Sequence, residues 1–232
     1  MPLPNISTPS FTAKLPTTGQ EISYRPFLVK EEKILLMAME GGDKTEIRKA
    51  IDNIVSSCVL DDIDVTKVPM IDIEYIFLML RSKSVGEVIT FNVGHSKGDC
   101  HHKTSVEVNL NDVVVDGEVR DGVIMITDSI GVKMHYPTTK ILDSLDEDNQ
   151  SRVLLNMVAQ CIDVVFDSDD VYDNFTNDEL VEWLGNLNRQ QYEKIADFIA
   201  SAPKLTYKLK WKCQSCGEDD EVTIEGLYNF FI

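Results

Sequence analysis

Three of the four histidines and three of the five cysteines fall in two short segments more than a hundred residues apart. The first is Gly94-His95-Ser96-Lys97-Gly98-Asp99-Cys100-His101-His102, the second Lys212-Cys213-Gln214-Ser215-Cys216-Gly217. Cys213-x-x-Cys216-Gly217 is half of a zinc knuckle: a tight turn brings two sulfurs into chelating distance, and the glycine permits the left-handed step that follows. Zinc takes four ligands, so the other half must come from elsewhere. Aligning the two segments by their flanking runs matches His95 with Cys213 and Cys100 with Cys216, with two extra residues in the first turn. The candidate ligand set is His95, Cys100, Cys213 and Cys216, with His101 or His102 as substitutes and structural zinc as the cofactor. The competing reading is free thiols and solvated imidazoles on loop tips. A redox role for Cys213 and Cys216 is weaker, because a low thiol pKa usually draws on a helix N-terminus and strand-like runs flank this motif.

Those runs are the elements that would position the ligands. Val88 to Val93 and Thr104 to Asn109 flank the first segment; Leu205 to Trp211 and Glu221 to Ile224 flank the second. Each pair reads as a hairpin. Residues 1–28 read as a further hairpin, turning at Pro16-Thr17-Thr18-Gly19-Gln20. Residues 29–84 read as helical: Val29 to Glu40 with an Ile34, Leu35, Met37, Ala38 stripe, then Lys44 to Cys58, then a helix opened by Pro69. That third helix carries Ile73, Ile76, Phe77 and Leu80 on one face and is apolar nearly all round, so it should be the most buried, with Ile34, Leu35, Ile51 and Ile54 packed beside it. Residues 85–137 hold the first Cys/His hairpin and a second one, Gly122 to Thr127 with Gly131 to Tyr136. Residues 138–203 read as helices: roughly Ser151 to Val165, one behind the capping box Thr176-Asn177-Asp178-Glu179, and one from Asn188. Residues 204–232 are the second Cys/His hairpin and a tail. The class is α+β, a helical core with several β-hairpins, two of them Cys/His-bearing and zinc-ribbon-like. No Pro/Ser-rich linker divides the chain, so one body is expected.

Composition narrows the function. A formal charge of −17 over 232 residues repels phosphate backbones and disfavours nucleic-acid binding. No run reaches the ~18 to 20 uncharged apolar residues of a membrane span, and Met1-Pro2-Leu3-Pro4-Asn5 lacks the pattern of a signal peptide. An odd cysteine count suits a reducing cytosol. The acidic run Asp167-Ser168-Asp169-Asp170-Val171-Tyr172-Asp173 fails as a calcium loop, since Val171 and Tyr172 stand where a ligand and the turn glycine belong; it reads as a solvated loop between helices. There is no G-x-S-x-G, P-loop or G-x-G-x-x-G, and His135 reads as a half-buried strand residue. The chain is expected not to be an enzyme.

Several segments resemble one known family. Ser23-Tyr24-Arg25-Pro26-Phe27-Leu28-Val29-Lys30-Glu31-Glu32-Lys33-Ile34-Leu35-Leu36 is similar to the N-terminal signature of the baseplate protein family of T-even-type contractile-tailed bacteriophages. Asp72 to Glu87 resembles its central helix and the strand after it; Gly131 to Pro137 and Cys213 to Phe231 also fit, in the family's order. The resemblance implies a baseplate hub subunit or hub-assembly protein, acting by protein contacts during tail morphogenesis. Its partners would be other hub or tape-measure proteins, and it would reside in the virion tail baseplate or in the host cytoplasm during assembly. Two alternatives stand beside it: a transient tail-assembly chaperone absent from the mature virion, and a zinc-ribbon nucleic-acid adaptor, disfavoured by charge. The family offers no catalytic residues. The partner surface is expected on the acidic helical half or at Leu227 to Ile232.

Overall fold

The computed structural model describes residues 6–94, 100–145 and 150–227. Strands β1 (Phe11–Lys14) and β2 (Glu21–Tyr24) lead into helices α1 (Val29–Gly41), α2 (Lys44–Cys58) and α3 (Met70–Ser84). Strands β3 (Val88–Gly94), β4 (Lys103–Asn109), β5 (Val114–Asp116), β6 (Val123–Met125) and β7 (Gly131–Met134) follow. Then come α4 (Thr139–Asp143), α5 (Gln150–Gln160), β8 (Ile162–Phe166), β9 (Val171–Tyr172), α6 (Asn177–Gly185) and α7 (Arg189–Ala200). Strands β10 (Lys204–Lys212) and β11 (Asp219–Glu225) end the series. The fold is α+β, with small antiparallel sheets. It divides into two compact units: Met1–Ile63 with Ile71–Asp116 and Lys204–Ile232, and Asp64–Met70 with Gly117–Pro203.

The first unit is built on α2 and α3. Asp43 caps α2 by accepting from the amides of Thr45 and Glu46, and its apolar positions Ile47, Ala50, Ile51, Ile54 and Val55 are buried at helical spacing. In α3, Ile73, Ile76, Phe77, Leu78 and Leu80 are all at most 2% exposed, as expected of a helix apolar nearly all round. Phe77 stacks on Phe27 with centroids 6.4 Å apart. The buried Asp72 carboxylate accepts from the amide and hydroxyl of Thr17 in the β1–β2 turn, which fixes that hairpin to α3.

Helix α1 corrects the expected stripe. Ile34 and Met37 are 52% and 61% exposed, and of its side chains only Glu31 is fully buried. The inner face carries Glu31 because Arg25, entering from β2, places its guanidinium 2.8 Å from the Glu31 carboxylate and also bonds the Ser57 carbonyl. A desolvated charge needs its partner, and this pair fixes the helix's rotation and turns Ile34 outward.

The second unit is a four-stranded antiparallel sheet, in the order β6-β7-β8-β9, packed on α5, α6 and α7. Its core joins Ile124, Val132 and Met134 from the sheet with Val158, Leu180, Leu184, Ile195 and Phe198 from the helices. Tyr136 stacks on Phe198 at 4.6 Å. Both expected helix starts occur: Thr176 and Glu179 form a reciprocal capping box, as do Asn188 and Gln191. Gly122 has φ +78°, and a Cβ there would lie 2.0 Å from the Met134 carbonyl oxygen, so this corner of the sheet admits only glycine.

Two readings need correction here. The helix expected to reach Val165 stops at Gln160, and Ile162–Phe166 is strand β8, paired with β7. Its β-branched run suits a pleated surface, and β7 supplies a partner that no local pattern reveals. The acidic run is consequently the turn between β8 and β9 together with β9 itself, not a loop between helices. Asp167 accepts from the amides of Asp169 and Asp170 at 2.9 and 2.8 Å.

Candidate metal centre

Alternation of apolar and polar residues makes β10 and β11 a hairpin, in register from Thr206↔Glu225 to Lys212↔Asp219. At its tip the Cys213 amide donates to the Glu218 carbonyl at 2.8 Å and the Gly217 amide to the Cys213 carbonyl at 2.9 Å. Gly217 takes φ +75°, the left-handed step expected for it. In the β3–β4 hairpin, Cys100 lies three positions before the start of β4. The two hairpins meet where the Gln214 amide donates to the Thr104 hydroxyl at 3.3 Å. This contact brings Cys100 to the knuckle, its sulfur 3.8 Å from that of Cys213.

The sulfurs of Cys100, Cys213 and Cys216 all lie within 4.8 Å of one another. A tetrahedral zinc with Zn–S bonds of ~2.3 Å requires sulfurs ~3.8 Å apart, so the spacing fits three vertices of such a site. The turn also supplies charge stabilisation. Amides of Cys216 and Ser215 pointing at the Cys213 sulfur, helped by the neighbouring thiols, lower its pKa to about 6. The Glu218 amide likewise favours the Cys216 thiolate, but partial desolvation of its sulfur and the neighbouring thiols outweigh that and hold its pKa up. One thiolate among three close sulfurs is a donor set suited to a soft or borderline cation. A depressed thiol pKa thus arises here from turn amides, without the helix N-terminus that sequence reasoning required.

Of the expected ligands, Cys100, Cys213 and Cys216 converge, and His95 lies outside the described residues. His101 and His102 are exposed and, among the described residues, do not join the group. Sequence reasoning missed the amides that aim at the sulfurs and the Thr104–Gln214 bond. The first were implicit in C-x-x-C-G turn geometry; the second had no local signal.

The family model described as T4 bacteriophage base plate protein matches residues 8–232, nearly the whole chain and the whole of this site. The chain belongs to that family. No curated protein and no solved structure matches it. In this base plate family member the two remaining cysteines are core residues. Burial pushes Cys58 up to about 11 and Cys161 up to about 12, which keeps both thiols protonated and inert.

One groove of the second unit gathers a serine, a histidine and an aspartate: it is lined by Lys67, His135, Lys140, Ser144, Gln160 and Asp163, among others. His135 Nδ1 is 2.9 Å from Asp163. The Ser144 hydroxyl, however, donates to the Ile141 carbonyl at 2.7 Å and lies 3.0 Å from the Gln160 side-chain oxygen. Among the described residues no hydrogen bond joins Ser144 to His135, the link between nucleophile and base found in a catalytic triad.

Proposed function

We propose that this base plate family member is a hub subunit or hub-assembly protein that works through protein contacts, without turnover. The observation that carries this reading is the outer face of α1. Val29 is 81% exposed, Met37 61%, and Ile34 and Leu36 52% each. A solvated helix normally turns charge outward, and exposed apolar side chains gathered on one element mark a contact surface. Unbranched methionine suits a surface that must adapt to its partner. Other baseplate proteins, hub or tape-measure subunits among them, are the partners this reading assigns, met in the host cytoplasm during assembly or in the tail baseplate. Zinc is the metal it assigns to the cysteine cluster, in a structural role.

The double substitution Ile34→Ser with Met37→Ser tests the contact directly, since both side chains are exposed and the core is untouched. The expected result is a normally folded protein that no longer co-purifies with baseplate proteins from infected cells. Undiminished co-purification of the same proteins overturns the role of α1. Mass spectrometry of purified particles then separates a resident subunit from a transient assembly chaperone, which would be absent.

A further inference from the structure

The second unit carries an apolar pocket that the contact through α1 does not use. Its lining comes from β8, β9, α6 and the loops beside them: Ile130, Phe166, Tyr172, Phe175, Leu180 and Trp183 form most of the wall, and Asp167 and Glu179 stand among them. The volume of about 430 Å³ is at the low end of the ~300–1,000 Å³ typical of ligand pockets, enough for a bulky side chain or two. Tyr172 is 49% exposed and Ile130 36%, so the pocket opens to solvent.

The charged residues of its lining, Asp167 and Glu179, are both acidic. Residues 167 to 182 contain seven carboxylates and neither lysine nor arginine. Asp167 is held ionised by the amides of Asp169 and Asp170, and Glu179 by the amide and hydroxyl of Thr176. Both groups therefore remain negative down to acid pH. An anionic lipid surface or a nucleic acid is repelled by such a rim. A cationic segment is attracted, and its apolar residue gains by burial against four aromatic side chains.

We infer that this pocket docks a basic segment of a partner protein, with an aromatic or branched aliphatic side chain inserted as anchor and lysines or arginines flanking it. The site lies in a different unit from α1, so it stands or falls separately from the contact proposed above.

Three capped hexapeptides test it with the full-length protein: phenylalanine-leucine flanked by two lysines on each side, the same pair flanked by glutamates, and glycine-glycine flanked by lysines. Binding is read from the Trp183 indole resonance, assigned with Trp183→Phe. The first peptide should shift that resonance and bind at least about tenfold more tightly than either of the others, weakening as salt rises. Asp169→Asn with Asp170→Asn, two exposed changes outside the pocket wall, should cut its advantage over the glutamate peptide at least about threefold. Equal binding of all three, shifts confined to Trp211, or no shift up to millimolar peptide overturns the inference. A preference that survives both aspartate changes overturns the charge argument on which the choice of partner rests.

Discussion

Glu31, which is buried, and Glu74, which is half-buried, show how one residue type is driven in opposite directions. Burial alone would raise the pKa of Glu31, but the Arg25 guanidinium and the Leu28 amide outweigh it, and the net shift is downward. Its stabilising contribution is therefore present above the unfolded carboxyl pKa and is lost as pH falls through the folded one. Glu74, on α3, has no cation beside it among the described residues. Burial pushes it up to about 7, and the hydrogen bond from the Leu227 amide only partly opposes this. Between the ordinary glutamate value of 4.5 and about 7, the folded chain holds a proton that the unfolded chain has released. Stability should accordingly fall as pH rises through this window and level off above it, by an amount on the order of 3 kcal/mol. Glu74→Gln removes the titration. Urea melts at pH 5 and pH 8 should show the variant gaining on the parent by roughly that amount at the higher pH. Parallel curves for the two proteins would mean that Glu74 stays solvated.

At the scale of elements, α3 is the most buried helix of the first unit. Phe77 is 1% exposed and stacked on Phe27, so Phe77→Ala should cost about 3 to 5 kcal/mol, from lost transfer energy and the residual cavity. A change below ~1 kcal/mol in a denaturant melt would place the helix at the periphery. That α3 is central was legible from sequence, because an apolar surface all around a helix can be satisfied only by burial. The starts of α6 and α7 were legible for a similar reason: a capping box is a local interaction, written within four residues. What escaped was set by non-local partners. The Arg25–Glu31 pair chooses which side of α1 faces inward, and no apolar periodicity records it. Strand β8 continues the apolar pattern of α5 and becomes a strand only because β7 lies beside it. The two units had no linker to announce them, because the chain passes between their segments four times and no single position separates them. The cysteine cluster was partly legible. Cys213-x-x-Cys216-Gly217 encodes its own turn, and the similar flanking strands pointed to Cys100, but the amides that hold charge on Cys213 become visible only in the folded turn.

Across the whole chain, the cysteine cluster joins positions 113 residues apart, Cys100 and Cys213. Such ligands exist as one site only after folding, so metal affinity is added to folding free energy. Closing a long loop is also where a cross-link has most entropy to remove from the unfolded chain. The expected result is about one equivalent of zinc in protein purified without chelator. EDTA should then lower the melting temperature, on the order of 5 to 10 °C if free zinc had stood near 100 times its dissociation constant. Cys216→Ser is the more informative substitution, because Cys216 is exposed while Cys213 is buried; it removes a ligand without opening a core cavity. That variant should lose zinc and melt like the EDTA-treated parent, with no further drop on adding EDTA. His95→Ala addresses the fourth ligand, and faster loss of zinc to a chelator would assign it to His95. Less than about a tenth of an equivalent of zinc, together with a melt indifferent to EDTA and to Cys216→Ser, would reject the metal. The Thr104–Gln214 bond and the packing of three thiols would then be what holds the two hairpin tips together.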